Sequence, residues 1–447
     1  MSGSIEEFHS KKAGDGYYER LEAELKKLNA ELHAFNNITL LNTGGYPFSA
    51  KDNLCVEGVE TTASSRILKG YVPPFNATAV ERLLKRKFTF IGKTNMDEFG
   101  FGTFGLNSDE PARNPFNREY VTGGSSSGAA VATSVMKYHV ALAVSTGGSI
   151  SAPSSFCGVV GFTPTYGLVS RYGLLDYGNS LDKIGIISRS ASDTANVFDL
   201  IRGPDDKDST SVSEAPKKEK AKKNLFVIKE LLKGETQSYF ERFCDKLRGL
   251  GYAIGEVSVP DIEKAVQAYY IISMAEASTN LAKYTGFKYG YKNSGFEKGY
   301  NEFFTEARSN FGVEAKRRIV LGTFVRSSSV RSKYYDKAMK VRALLTSRLS
   351  KTLEKGNIII PAMPILTPKI EEARQMDSVS VYKMDISTIP PNLCGLPHVC
   401  FPYDYAGGMP IGAQIIGSHF SDNGVLEFVQ EWEKTFKYKF KYDVGAL

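Results

Sequence analysis

A chain of 447 residues, 42% apolar and 23% charged, can bury a large core, which excludes the disordered and fibrous classes. Its formal charge of +7 permits contact with a nucleic acid or an acidic partner without requiring either. Five scattered cysteines with no CxxC pair argue against a disulfide framework or a thiolate zinc site, and five histidines without HExxH or HxxxH spacing imply no metal. No apolar run approaches the roughly 18–20 residues of a membrane span, and the start MSGSIEEFHSKK lacks an apolar secretory core.

In chain order, Leu21, Leu25, Leu28 and Leu32 put one apolar stripe on a helix predicted over 18–35, in an N-terminal segment 1–36. Its stripe docks onto its own domain or onto a partner. Residues 37–447 read as one large domain. Its core, about 45–190, is rich in Gly, Ser and Thr, with short apolar runs at 140–144 and 158–162 that read as buried strands feeding tight turns. The stretch GPDDKDSTSVSEAPKKEKAKK at 203–223 is a charged surface loop. A second half, 224–447, opens with a strand (225–228), a helix (239–250) and a strand (253–259), the βαβ rhythm of a mainly parallel sheet. Helices then dominate to about 352. Strands are predicted at 357–361 and 410–417, and an amphipathic helix closes the chain. No repeat of fixed period is visible, so the fold class is an α/β sandwich.

Three clusters carry chemistry: FSAKDN at 48–53, GGSSSG at 123–128 and TGGSI at 146–150. The glycine pairs, Gly44-Gly45 opening the stretch that the first cluster closes and those within the other two, let backbone N–H groups approach a ligand, and the last two clusters precede helix starts, which suits anions or oxyanions. The middle cluster lacks the GK[ST] ending of a P-loop. It also fits a GxSxG elbow, with Ser126 as nucleophile and His139, His398 or His419 as base. That elbow needs a buried strand before it, and NREYVT at 117–122 is too polar for one.

AKDN around Lys51, GKTNMDEFG at 92–100, GGSSSGAA from Gly123, STGGSI from Ser145 and FCGVVGFTPTYGLVSRYGL at 156–174 resemble the amidase signature family, densely over about 45–190. The resemblance implies an α/β/α sandwich around a mixed, largely parallel twisted sheet. It also implies that Ser149 is the acyl-accepting nucleophile, Ser125 a bridging serine after a cis peptide from Gly124, and Lys51 the terminal base. Backbone N–H groups of Thr146, Gly147, Gly148 and Ser149 would form the oxyanion hole. A lysine can serve as base if burial lowers its pKa from about 10.4 towards neutrality. Lys93, in GKTN, takes a structural role. Two positions depart from the family pattern: Ser145 stands for an Asp and Ser151 for an Arg, so neutral hydrogen bonds should replace an ion pair.

The amide is set elsewhere in the chain. GPDDKDSTS at 203–211, AYYIISMAEASTNLAKYTGFKYGY at 268–291, EAKRRIVLGTF at 314–324 and VYKMDISTIPPNLCGLP at 381–397 are similar to the A-subunit family of glutamyl-tRNA(Gln) amidotransferases. This implies that Arg318 grips the α-carboxylate of glutamine, Asp385 its α-ammonium, and that Tyr269 lines the pocket. Ammonia would pass to a partner, the B subunit, which activates Glu-tRNA(Gln) with ATP and Mg, alongside a small third subunit, C-like or fungal F-like. No cofactor is expected in this chain. A mitochondrial location, in the matrix or at the inner membrane, is expected, with a bacterial-type cytoplasmic one as the alternative. A free-standing amidase of another amide and a catalytically dead scaffold are the rival functions.

Overall fold

The computed structural model describes residues 4–11, 16–216, 221–292 and 299–444. Eleven strands form one sheet: β1 (Phe35–Leu41), β2 (Pro47–Lys51), β3 (Thr89–Thr94), β4 (Val140–Ser145), β5 (Val160–Thr163), β6 (Lys183–Ser188), β7 (Asn224–Ile228), β8 (Ala253–Val257), β9 (Asn357–Pro361), β10 (His398–Ala406) and β11 (Met409–Ile416). Their order across the sheet is β1-β3-β2-β4-β6-β5-β10-β11-β9-β7-β8, so strands of the Gly/Ser-rich core and of the second half share one sheet.

The sheet is mixed, but parallel pairing is the minority and corrects the expectation of a largely parallel sheet. Four pairs are parallel, β2 with β3 and β4, and β7 with β8 and β9. Six are antiparallel. The cause lies in the connections. A parallel pair needs a crossover, supplied between β2 and β3 by the helix Thr78–Lys85 and between β7 and β8 by Gln237–Gly249. At the centre, β10 and β11 are joined by Gly407 and Gly408, both at positive φ (+55° and +82°), a turn that folds a strand straight back on itself.

Both faces of the sheet are covered. On β9, Ile359 belongs to the largest apolar cluster, whereas its neighbours Ile358 and Ile360 belong to a second one, the two-residue alternation of a strand buried on both sides. The helix Ser127–Val135 packs on β4, β6, β2 and β3, and Ser151–Cys157 on β11, β10 and β5. Every residue of both helices is buried. Their small side chains permit this: a Cβ on Gly128 would lie 2.2 Å from the Ala34 carbonyl oxygen.

After a short helix at Ile5–Lys11, the helix carrying the leucine stripe runs Tyr17–Leu32 and buries Tyr17, Leu21, Leu25 and Leu32 in the main cluster, with Leu28 partly covered. The charged loop carries no helix or strand over 203–216; residues 217–220 of that loop lie outside the described residues. No described helix is long and apolar enough to cross a membrane.

Candidate active site

Parallel pairing gives β2, β3 and β4 a common carboxyl edge, and β6, antiparallel to β4, contributes its amino end there. Lys51 is the last residue of β2, Asp97 follows β3, Thr146 follows β4 and Asp182 precedes β6. Strand ends leave backbone groups unspent, so a site can be built on them. Two loops face that edge. One leads through Ser125 into the helix Ser127–Val135, and the peptide Gly124-Ser125 is cis. The other carries residues 146–150 into the helix Ser151–Cys157. The Ser126 amide donates to the Ser149 carbonyl at 3.1 Å and stitches the loops together.

Lys51 is 1% exposed, and its Nζ lies 2.7 Å from Ser125 Oγ and 3.2 Å from the Val144 carbonyl oxygen. Burial lowers its pKa to about 7, against the opposing fields of Asp97 and Asp182, because a dry interior disfavours the ammonium. Ser125 is as deeply buried, while Ser149 is 7% exposed, the nearest to solvent of the three residues expected from the sequence.

The second loop is held residue by residue. Thr146 Oγ1 donates to Asp182 at 2.7 Å, and the amides of Tyr177 and Gly178 donate to the same carboxylate at 3.0 and 2.9 Å. Burial nevertheless pushes Asp182 up to about 6. A Cβ on Gly147 would fall 2.4 Å from Tyr269 Cζ, and one on Gly148 2.3 Å from Thr388 Oγ1, so neither position admits a side chain.

The residues expected from the second half converge beside this loop. Tyr269 stands against Gly147 on the helix Lys264–Asn280. Arg318, on the helix Val313–Arg326, donates through Nε to Glu314 at 2.8 Å and through Nη1 to the Tyr177 hydroxyl. Asp385 accepts from Tyr270 at 2.7 Å and Thr103 at 2.9 Å; burial raises it to about 6, with the Arg318 charge opposing. The Tyr270 ring lies 5.3 Å from the Arg318 guanidinium, so one tyrosine touches both charged groups. A cleft of about 270 Å³, lined by Thr103, Glu314, Arg318 and Tyr382 among others, opens onto this cluster. A larger groove of about 700 Å³, between the helix Tyr17–Leu32 and the loops at 60–69 and 108–110, contains none of these residues.

The GxSxG alternative lacks its geometry. Residues 117–122, which lead into the serines, form no strand, and the Ser126 hydroxyl donates to the Val144 carbonyl at 3.3 Å. His139 contacts Thr133 and Ser49, His398 contacts Leu396 and Asn392, and His419 contacts Cys394. Lys93 is buried among Leu54, Thr61 and Asp52, where burial holds its amine below the ordinary lysine value. Sequence reasoning missed Tyr177, Tyr270, Glu314 and Asp182. Tyr177 and Asp182 lie just past the quoted motif that ends at Leu174, and Tyr270 is adjacent to Tyr269, so proximity to motifs was the available signal.

Ser145 and Ser151 do make neutral hydrogen bonds, each to its own carboxamide: Ser145 Oγ to Asn392 Oδ1 at 3.1 Å, and Ser151 Oγ to Gln414 Oε1 at 2.7 Å. Both serines are fully buried. Ser151→Arg alone should therefore bury an unpaired cation and lower stability by about 3–5 kcal/mol, read as a shift of the denaturant midpoint. An unchanged midpoint would mean that the site accepts charge.

The Amidase family profile matches residues 17–426. Over 427 residues the chain is 42% identical to the A subunit of glutamyl-tRNA(Gln) amidotransferase from Symbiobacterium thermophilum, covering 92% of this chain and 87% of the relative. It is 38% identical over 463 residues to the same subunit from Halothermothrix orenii, covering 98% and 96%. The crystal structure of the Thermotoga maritima A subunit superposes with a TM-score of 0.83 at 33% identity, covering 99% of this chain and 97% of the other. Kluyveromyces lactis allophanate hydrolase, at 22% identity and TM-score 0.81, shares the fold. The chain belongs to the amidase signature family, with glutamyl-tRNA(Gln) amidotransferase A subunits among its relatives.

Proposed function

We propose that this chain is the glutamine-hydrolysing subunit of a tRNA-dependent amidotransferase, with Ser149 as nucleophile, Ser125 as proton bridge and Lys51 as base. The observation that carries the reading is the buried Lys51 amine, with its pKa lowered to about 7, 2.7 Å from Ser125 Oγ in a loop bonded to Ser149. Ser149 Oγ attacks the carboxamide carbon as its proton passes to Ser125 and the Ser125 proton to the neutral Lys51 amine. Backbone N–H groups of Thr146, Gly147, Gly148 and Ser149 take the oxyanion; losing one such donor typically costs about 3 kcal/mol of barrier. When the C–N bond breaks, the proton returns along the same path to the leaving nitrogen, and ammonia departs. Water then attacks the acyl-serine, using the same base, and glutamate leaves. Arg318 and Asp385 supply the fixed cation and anion that a zwitterionic amino acid requires, and Tyr269 packs against Gly147 of the oxyanion loop.

A family relationship to A subunits supports a B-type partner that consumes the ammonia on Glu-tRNA(Gln), using ATP and Mg, and a small third subunit. Within that reading a mitochondrial complex is the finer assignment, set against relatives that are bacterial. The free-standing amidase is the second reading; a buried cation, Arg318, and a buried carboxyl, Asp385, linked through Tyr270 favour the amidotransferase role.

Ser149→Ala should abolish ammonia release from glutamine and leave the fold intact, and no acyl-enzyme should be trapped on it. Activity retained there but lost in Ser126→Ala would return the nucleophile to the GxSxG serine.

Lys51 acts when neutral, and its amine is depressed from 10.5 to about 7. The kcat/KM for glutamine should therefore fall roughly tenfold per pH unit below about 7 and level off above it. Lys51→Arg should be inactive at every pH, because guanidinium keeps its proton. A flat profile through pH 6–8, or an active arginine variant, would remove Lys51 from the base role.

Arg318→Ala and Asp385→Asn should each lower the ratio of kcat/KM for glutamine to that for a small aliphatic amide by tenfold or more, since a charge-assisted hydrogen bond contributes about 1.5–3 kcal/mol. Equal losses on both substrates, measured in the assembled complex, would reopen the general-amidase reading.

A further inference from the structure

We propose that Tyr177 is a specificity-determining residue: its hydroxyl holds Arg318 in the pose that receives the α-carboxylate and joins that grip to the oxyanion loop. The inference rests on the glutamine reading above. Arg318 is 3% exposed and enclosed by aromatic rings, with its guanidinium carbon 4.9 Å from the Phe101 centroid, 5.7 Å from Tyr177, 5.3 Å from Tyr270 and 5.7 Å from Tyr382. Two hydrogen bonds fix its rotation within that cage, one to Glu314 and one to the Tyr177 hydroxyl.

These two partners do different work. Glu314 is charged and is shared, since Arg317 and the Tyr382 hydroxyl also donate to it. Tyr177 is neutral, so it orients the guanidinium without consuming its charge. A planar fork with five donors then keeps three N–H groups for a carboxylate. A second carboxylate in place of Tyr177 would compete with the substrate.

Tyr177 also reaches the other side of the site. Its amide donates to Asp182, which accepts the Thr146 hydroxyl, and its own hydroxyl lies 3.4 Å from that of Tyr269, whose ring covers Gly147. Its ring meets Phe101 edge-on at 4.7 Å, and its carbonyl accepts from Asn280 at 3.0 Å, so removing the hydroxyl leaves the ring and backbone anchored. The hydroxyl therefore acts on Arg318 and Tyr269, while the Asp182 link is independent of it.

Tyr177→Phe isolates that hydroxyl. In the assembled complex, kcat/KM would be measured for glutamine and for a small aliphatic amide with wild type, Tyr177→Phe, Arg318→Ala and the double variant. The expected result is a tenfold or greater fall in the glutamine-to-aliphatic ratio for Tyr177→Phe, expressed mainly in KM. In the Arg318→Ala background the same substitution should change the ratio less than twofold, because the hydroxyl then has no guanidinium to orient. Equal losses on both amides, or effects that multiply in the double variant, overturn the inference and leave Tyr177 a packing residue. Wild type inert towards glutamine but active on the aliphatic amide overturns the glutamine reading, and this inference with it.

Discussion

The structure turns on removing one lysine amine from water without pairing it to a carboxylate. Lys51 is fully buried at the end of β2, and the atoms within hydrogen-bond distance of its amine are a hydroxyl and a carbonyl. A direct ion pair would keep it protonated. Here Asp97 and Asp182 act only as fields opposing burial, and each has its own engagements: Asp97 accepts the Asn107 amide at 2.7 Å, and Asp182 accepts Thr146 and two amides. Burial raises both carboxyl groups in turn, so the charge opposing burial at Lys51 is itself weakened by the same dry surroundings. Packing around Asp97 is correspondingly tight: a Cβ on Gly124 would lie 2.0 Å from its Oδ2, and one on Gly102 2.3 Å from its carboxyl carbon.

As the proposed base, that buried amine needs a substrate held against the loop above it, and helix packing in the second half of the chain brings the candidate binding residues to that loop. The helices Lys264–Asn280 and Val313–Arg326 lie so close that a Cβ on Gly322 would fall 1.9 Å from the Met274 carbonyl oxygen. This contact turns Arg318 inward while Val313, Val320 and Phe324 on the same helix stay exposed. Tyr269 and Tyr270, consecutive on the partner helix, diverge by about 100° as helical geometry requires. One reaches Gly147 and the other Asp385. A charged cluster 3–8% exposed is thereby satisfied by tyrosines, whose hydroxyls bond ions while their rings remain in an apolar setting.

How much of this could be read from the sequence follows from the range of the interactions. The run Asn357–Pro361 and the strands near 140, 225 and 410 are β-branched stretches between chain breakers, a local signal, and they lie within a residue or two of expectation. Strand direction is not local. The βαβ rhythm at 224–257 does yield a parallel pair, but extending it to the whole sheet missed that β5, β6, β10 and β11 pair antiparallel. At the site, Ser125 and Ser149 sit in glycine-rich motifs whose backbone demands are visible in the sequence itself, whereas Lys51, in FSAKDN, is marked only by family resemblance. Tyr177 carries no such mark. Its hydrogen bond to Arg318 spans 141 positions, and a tyrosine between Asp176 and Gly178 reads as an ordinary turn residue.

The paired serines connect the family departure to the chemistry of the base. An aspartate at 145 would put a carboxylate next to Val144, whose carbonyl accepts from Lys51, and would raise the amine's pKa. An arginine at 151, two residues beyond Ser149, would act in the opposite sense. Replacing only one member would displace the base and strand a buried charge. Replacing both, with Asn392 and Gln414 taking up the hydroxyls, leaves burial against Asp97 and Asp182 as the balance that sets Lys51. It also spares the desolvation cost of two ions in a region where both serines are fully buried. Two neutral serines, each held by its own carboxamide, are thus compatible with the proposed relay, because neither adds a charge that would shift the Lys51 amine.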